Sequence, residues 1–538
     1  MMKAAVGRAP LTTTFAVLGL VLLTEMIAIT VQTGTPAFFT LDDPYIHLAL
    51  AESIANGEYG INPGEYASPS SSILYPFLLA PFAALDIGEW GALALNVAAS
   101  FGILAAWRQL FIRFGFAGDA PAANAGALLA TLAVNGVALV FTGMEHTLHI
   151  FCTLVTMLAI IDVAEGKPTP WFLIPIAIAG ALLRYEGGAI AGAAALVLLW
   201  SGRWRQAVLL MALVAAAYAG FSFFLYRLGL PILPSSVLAK SDSASMIAGD
   251  DGLGAFIRSI LSHAKHNVTG VHVVMLIAGL LGMAVVYRRR AELASESRLK
   301  VTLFALAVLA AHLVAFRSGW FYRYEPYAVG VLLVWILYSH LSGSARPISL
   351  RLDDRMSTWF GGFVFLLAFA AIYVAPVAQT PAAARNIFEQ QYQMHRFVAE
   401  FWKAPVAVND LGWVAYRNPD YVLDMRGLGF ARARIAFERK DAGWFDHAVA
   451  EKRVEIAIIY KSSFEGAIPA RWAELAVLRL GGSRITPKED RVSFYLTDPT
   501  ARERAVKALR AFAATLPKGV GFQMVGSAVQ HENIPHND

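Results

Sequence analysis

The chain has 538 residues, 57% of them hydrophobic and only 15% charged, with 44 Lys and Arg against 39 Asp and Glu. That balance excludes an ordinary soluble domain. The small positive excess comes without any basic patch interleaved with aromatics, which excludes nucleic acid as a partner and fits the basic cytoplasmic loops of a membrane protein.

Residues 11–31 form the first apolar run, behind Lys3 and Arg8. The run is too long for a signal peptide and lacks a small-x-small cleavage site, so it reads as an uncleaved first span. A helix of roughly 20 residues is needed to cross a ~30 Å hydrocarbon core. By that measure ten further spans follow, at about 90–110, 122–141, 147–163, 170–184, 187–201, 205–227, 268–287, 299–316, 326–342 and 357–377. The single cysteine, Cys152, lies inside one of them, so there is no disulfide framework. Residues 32–89 contain seven acids and no Lys or Arg, whereas the loops between alternate spans are basic. The positive-inside rule therefore places the N-terminus in the cytoplasm and 32–89 outside. This requires that the apolar run 72–85, short and broken by Pro76 and Pro81, lie in the interface rather than cross.

The expected fold is thus a mainly α-helical polytopic membrane protein of about 11 transmembrane helices, residues 1–377, with an extracytoplasmic C-terminal α/β domain over 378–517. In that domain short apolar runs at 406–408, 421–423 and 455–460 read as strands, and 383–403, 441–453 and 500–515 as helices. Residues 518–538 read as a flexible tail.

Under this topology five outer loops bring ionisable residues to one depth. They are Asp42 and Asp43; Glu145 and His146, with His149 one turn on; Arg184 and Glu186; Lys240; and Arg323, between Tyr322 and Tyr324. Charges near the bilayer tend to face a cavity or one another. Arg184, Lys240 and Arg323 would make a receptor for a lipid phosphate. Blander readings stand beside these: Asp42 or Asp43 as an N-cap ahead of Pro44, Arg184 and Glu186 paired with each other, His146 and His149 as core histidines rather than metal ligands, and Lys240 and Arg323 as headgroup contacts.

The segments DDPYIHLALAESIANGEYGINPGE, TGMEHTLHIF, LLRYEGGAIAG, LPSSVLAKS and RYEPYAVGVLL, with VAVNDLGWVAY and VLDMRGLG in the tail, resemble the GT-C superfamily of membrane glycosyltransferases. The resemblance is nearest to the polyprenyl-phosphate-sugar-dependent arabinofuranosyltransferases and more distant to protein mannosyltransferases and lipid A aminoarabinose transferases. It implies a sugar donor on polyprenyl phosphate, an acceptor hydroxyl on a glycan, lipid or protein, inversion at the anomeric centre, and a bacterial inner membrane with the site facing the periplasm or exterior. An acceptor hydroxyl needs a base, for which Asp43 or Asp42 stands ready. Arg184, Lys240 and Arg323 would bind the departing phosphate. Glu145, His146 and Glu186 would support the site or a divalent metal such as Mg, Mn or Ca, and Tyr45, His47, Tyr322 and Tyr324 would contact substrate. The competing class is a transporter or flippase, suggested by the short helices around Gly187-Gly188; no inverted repeat accompanies them.

Overall fold

The computed structural model describes residues 11–116, 119–235, 275, 277–280, 295–316, 321–341 and 355–525. The helices that build the membrane region are α1 (Leu11–Thr33), α2 (Asp43–Ala55), α3 (Tyr75–Ala83), α4 (Gly88–Arg113), α5 (Ala120–Ala133), α6 (His146–Ala164), α7 (Leu173–Leu183), α8 (Glu186–Trp200), α9 (Trp204–Arg227), α10 (Glu296–Ala315), α11 (Pro326–Leu341) and α12 (Arg355–Glu389). Among the described residues seven helices are long and apolar enough to cross a membrane, and α7, α8 and α11 are shorter apolar helices. Ten of the eleven expected spans coincide with these; the span at 268–287 lies mostly outside the described residues.

α6 packs against α4, α7, α8, α10 and α11. It is mostly buried, while α1 and α9 present most of their surface outward. The central position of α6 fixes Glu145 and His146, at its N-terminal end, in the middle of the bundle. α3 has nine residues, with Pro76 in its first turn and Pro81 inside, and so rises only about 14 Å. It cannot cross; the preceding residues, Ile73 and Leu74, instead donate their amides to Leu182 O at the end of α7.

The boundary expected at 377/378 is not a break. α12 has 35 residues and carries straight through it into the C-terminal domain, where its last turns are bonded to the sheet's loops. Asn386 Nδ2 donates to Ser483 O, Ile485 N to Asn386 Oδ1, and Gly481 N to Glu389 Oε2.

The sheet of that domain comprises β1 (Val406–Val408), β2 (Val422–Asp424), β3 (Ile456–Ile459), β4 (Ala473–Arg479), β5 (Arg491–Leu496) and β6 (Gly521–Met524), in the order β2-β1-β3-β5-β4-β6. β1 is parallel to both β2 and β3, and the rest are antiparallel. Within the stretch 518–538, expected as a flexible tail, β6 corrects the expectation for its first part: Gly521–Met524 pairs with β4, and Val525 N donates to Leu475 O, while 526–538 lie outside the described residues.

The first loop is bolted to this domain. Asp42 occupies the N-cap position of α2, as expected, yet its side chain caps nothing there. Its carboxylate instead accepts from Gly412 N at 2.8 Å and Trp413 N at 2.9 Å. The approach is so close that a Cβ on Gly412 would stand 2.1 Å from Asp42 O, so only glycine fits. Around it Tyr45, Phe38, Tyr392 and Trp413 form an aromatic cluster, with Tyr45 and Trp413 ring centres 4.0 Å apart. Residues 32–89 and the C-terminal domain therefore share one side of the bundle.

Several acids are pressed into this joint. Burial, and then Asp410 beside it, raises the Asp42 carboxyl despite the two amides; burial raises Asp410; and burial pushes Glu52 up to about 7, with Glu89 and Asp86 adding to it and Arg417 opposing. A carboxyl with a raised native pKa keeps a proton that the unfolded chain has released, so its contribution falls as pH rises from the ordinary value to the native one. For Glu52 that window runs from 4.5 to about 7. The thermal midpoint in detergent is expected to be the same for the wild type and Glu52→Gln near pH 5, and lower for the wild type at pH 8. A wild-type midpoint equal to or above that of Glu52→Gln at pH 8 would contradict this.

Candidate active site

The site lies where α2, α6, the α7–α8 break and the entry to α11 meet. Arg323 follows Phe321 and Tyr322, held at φ 59° and 54°. Aromatic residues seldom adopt this left-handed conformation, which costs about 1–3 kcal/mol each. The turn leaves the Arg323 side chain only 3% exposed. Its Nη2 donates to Asp43 Oδ2 at 2.5 Å and to Tyr324 OH at 2.8 Å. Its Nε and Nη1 are buried without a hydrogen-bond partner among the described residues. Asp43, by contrast, is 30% exposed, so the pair opens to solvent on the carboxylate side.

Arg184 sits in extended conformation between α7 and α8. The two helices meet tightly there: a Cβ on Gly187 would stand 2.3 Å from Gly180 O. Arg184 is a fork between two acids. Nη1 reaches Glu145 Oε1 at 2.8 Å, Nη2 reaches Glu186 Oε1 at 2.6 Å, and Nε reaches Glu186 Oε2 at 3.1 Å. Glu145, fully buried, also lies 3.6 Å from His47 Nε2, and His47 Nδ1 is 3.0 Å from Ser70 Oγ. Tyr324 joins the two arginines: their guanidinium carbons stand 5.4 Å (Arg184) and 4.9 Å (Arg323) from its ring centre, and the His146 ring meets its edge.

The structure thus gathers Asp43, Arg323, Tyr324, Arg184, Glu145, Glu186, His47 and His146 into one polar centre, and it revises several expected roles. Arg184 has its donors taken by Glu145 and Glu186, the pairing alternative, extended to a second acid. His47, expected to contact substrate, is buried between Glu145 and Ser70. Tyr45 is fully buried in the joint with Trp413, its hydroxyl accepting from Phe39 N, which leaves it no face for substrate. Tyr322 turns away to the Tyr373 ring on α12, and His149 packs on Tyr327 as a core histidine. Asp42 is committed to Gly412 and Trp413 and so is not placed as the base. Lys240 lies outside the described residues.

The divalent metal does not fit the acids as they stand. Asp43 is bonded to Arg323, and Glu145 and Glu186 are bonded to Arg184, so they diverge onto guanidinium groups. Among the described residues no three His, Cys, Asp or Glu side chains converge on a common point.

Residues 385–495 match a domain family of unknown function, DUF8728. No curated protein matches the chain. The solved structures similar to it include two glycosyl-transfer proteins. One is the apo oligosaccharyltransferase of Archaeoglobus fulgidus, 10% identical, over 91% of this chain and 76% of that one, with a TM-score of 0.48. The other is ArnT from Cupriavidus metallidurans bound to undecaprenyl phosphate, 13% identical, over 90% of this chain and 98% of that one, also with a TM-score of 0.48.

Sequence reasoning assigned no role to Asp410, Arg426 and Tyr460, of which Asp410 lies near enough to Asp42 and Asp43 for the charges to feel one another. Asp410, just beyond β1, accepts from Tyr460 OH at 2.6 Å and Gln391 Nε2 at 2.8 Å. Arg426, just beyond β2, stacks on Phe437 at 4.0 Å. Tyr460 follows β3. Loops beyond the carboxyl ends of parallel strands are the usual place for ligands in such sheets. The available signal was NDLGW and DMRGLG directly after apolar strand runs.

Proposed function

We propose that this chain is an integral-membrane glycosyltransferase of the GT-C type. It moves a sugar from a polyprenyl-phosphate donor to a hydroxyl of a cell-envelope glycan, lipid or protein, at the outer face of a bacterial inner membrane. The observation that carries this reading is Arg323. One of its nitrogens holds Asp43 while two others are buried without a hydrogen-bond partner among the described residues, so a carboxylate and two unmatched donors suited to a phosphate lie one guanidinium apart. Buried unmade donors are costly and are kept where a ligand completes them.

In the reaction Asp43 takes the proton of the acceptor hydroxyl as its oxygen bonds to the sugar's C1. The bond from C1 to the phosphate oxygen breaks, and polyprenyl phosphate leaves with the electron pair. Negative charge growing on that phosphate is met by the two remaining donors of Arg323, which a small shift of the turn brings to it. Single displacement from the opposite face inverts C1. Arg184, saturated by acids, keeps Glu145 and Tyr324 in place instead of binding the phosphate itself. The proton leaves Asp43 to solvent through its exposed side.

The test is to incubate the purified chain in nanodiscs with a panel of polyprenyl-phosphate sugars and measure released polyprenyl phosphate. At least one donor is expected to turn over in an acceptor-dependent manner. Arg323→Gln should lower donor binding or turnover by about one to two decades, because charge-assisted contacts are worth about 1.5–3 kcal/mol and each 1.4 kcal/mol is tenfold. A folded protein that releases phosphate from no donor, or an Arg323→Gln variant at the wild-type rate, would remove the assignment.

A further inference from the structure

Residues 385–495, matched to a domain family of unknown function, meet the first outer loop at the residue next to Asp43. Both carboxylate oxygens of Asp42 are taken there: Oδ2 accepts from Gly412 N at 2.8 Å and Oδ1 from Trp413 N at 2.9 Å. The Asp42 carbonyl in turn accepts from Tyr45 N at 3.1 Å, and the Tyr45 ring lies 4.0 Å from that of Trp413. Asp43, the first residue of α2, thus stands between two residues held by the C-terminal domain, and its own side chain is bonded to Arg323 of the membrane region. The fit has no slack. A Cβ on Gly412 would stand 2.1 Å from Asp42 O and 2.6 Å from its carboxylate carbon.

The other ties between loop and domain fall further along the loop. Asn62 Nδ2 donates to Val422 O at 2.9 Å and its Oδ1 accepts from Val422 N at 2.8 Å, which covers the edge of β2. Glu65 accepts from Tyr421 OH at 2.8 Å and pairs with Lys452. Arg417 Nη2 donates to Asp86 O at 2.9 Å. These contacts dock the loop, but none of them adjoins the base. A catalytic group on a loop keeps its geometry only where its surroundings lock it, and a misplacement of about 1 Å costs about 10²-fold in rate.

We infer that Gly412 and Trp413 are positioning residues for Asp43, and that the domain carrying them serves the reaction by holding the base against Arg323. The inference rests on the glycosyltransferase reading and gives the C-terminal domain its part in it.

The test uses the full-length chain, with donor binding and single-turnover release measured in nanodiscs and the unfolding midpoint in detergent. Gly412→Ala drives a methyl group into Asp42 and should lower release per folded molecule by about 10²-fold, with donor affinity near the wild-type value. Trp413→Ala keeps the amide but loses the stack on Tyr45, and should lower release by about tenfold. Trp413→Phe should restore most of that loss. Lys452→Gln loosens the same joint at Glu65, and should lower the midpoint while release per folded molecule stays unchanged.

One measurement needs no donor. Asp43→Asn strips Arg323 of its counter-charge and lowers the unfolding midpoint. Coupled residues depart from additivity and independent ones do not. The fall caused by Asp43→Asn should therefore shrink clearly in the Trp413→Ala background and keep its full size in the Lys452→Gln background. Equal falls in all backgrounds, wild-type release from folded Gly412→Ala and Trp413→Ala, or a loss confined to the acceptor's KM would overturn the inference. Release from the wild type with additive midpoints refutes this inference alone. Coupled midpoints with no release from any donor leave the holding of Asp43 standing and refute the transferase reading alone.

Discussion

Asp43→Asn is expected to lower turnover by about two to four orders of magnitude, the usual loss when a general base is removed. Asn keeps the size and can still accept the hydrogen bond from Arg323 Nη2, so the turn at Phe321–Tyr322 has no reason to move. What disappears is the group able to take the acceptor's proton. The replacement also leaves the buried Arg323 without its counter-charge. Donor affinity should then hold or rise slightly, because the guanidinium becomes free to serve the phosphate alone. The measurement is therefore paired: donor binding at equilibrium, and single-turnover release of polyprenyl phosphate. Retained binding with lost release identifies a base. Near-normal release would leave Asp43 as no more than the anchor of Arg323, and loss of both together would assign it to donor binding.

Arg184→Gln should have the largest effect on stability. The side chain is buried between Glu145 and Glu186, and its removal leaves two enclosed carboxylates without a cation. Breaking a buried pair from one side typically costs about 3–5 kcal/mol. A fall of that size should appear as a lowered unfolding midpoint in detergent and a poorer yield of folded protein. The diagnostic is the triple variant Arg184→Gln/Glu145→Gln/Glu186→Gln, in which the stranded charges are also removed. Much of the lost stability should return while activity does not, because His47 and Tyr324 would have lost their brace. If Arg184→Gln unfolds like the wild type but binds donor weakly, Arg184 is a ligand group after all, and its two acids are spectators.

These outcomes depend on contacts that the sequence disclosed unevenly. The membrane helices were legible because span length is imposed by the bilayer and repeats along the chain. Ten apolar runs could be read even where Arg184 splits two of them. In the C-terminal domain Val406–Val408 and Ile456–Ile459 were legible as short apolar runs, because parallel strands covered on both sides carry little else. β6 was not, since GFQM is half polar and earns its place only by pairing with β4 at the sheet edge. The boundary at 377/378 was set where the apolar run 357–377 gives way to polar residues, yet α12 continues past that point, and past Pro376 and Pro381.

At the site, proximity of the outer loops could be argued from topology, and it brought Arg184, Glu145, Glu186, Asp43 and Arg323 to one depth. The choice of partners could not. Asp42 and Asp43 are neighbours in the chain, yet one bonds amides 370 positions away and the other bonds Arg323. That division follows from the direction in which α2 starts, which is set by the docking of Tyr45 on Trp413. Nor does any glycine announce the left-handed turn at Phe321 and Tyr322.

α12 gives the molecule a built-in gauge of height. A helix of 35 residues is about 52 Å long, against roughly 30 Å of hydrocarbon, so about 20 Å projects beyond the lipid before its end is clamped by Ser483, Ile485 and Gly481. The sheet is thus joined to the membrane region by one continuous helix and not by a loop. Under the proposed function the donor is lipid-borne and confined to the membrane plane, so its distance from an acceptor held by the C-terminal domain would depend on the same helix. A thicker or thinner bilayer would tilt it and shift that distance, which ties the efficiency of the pairing to the lipid composition around the protein.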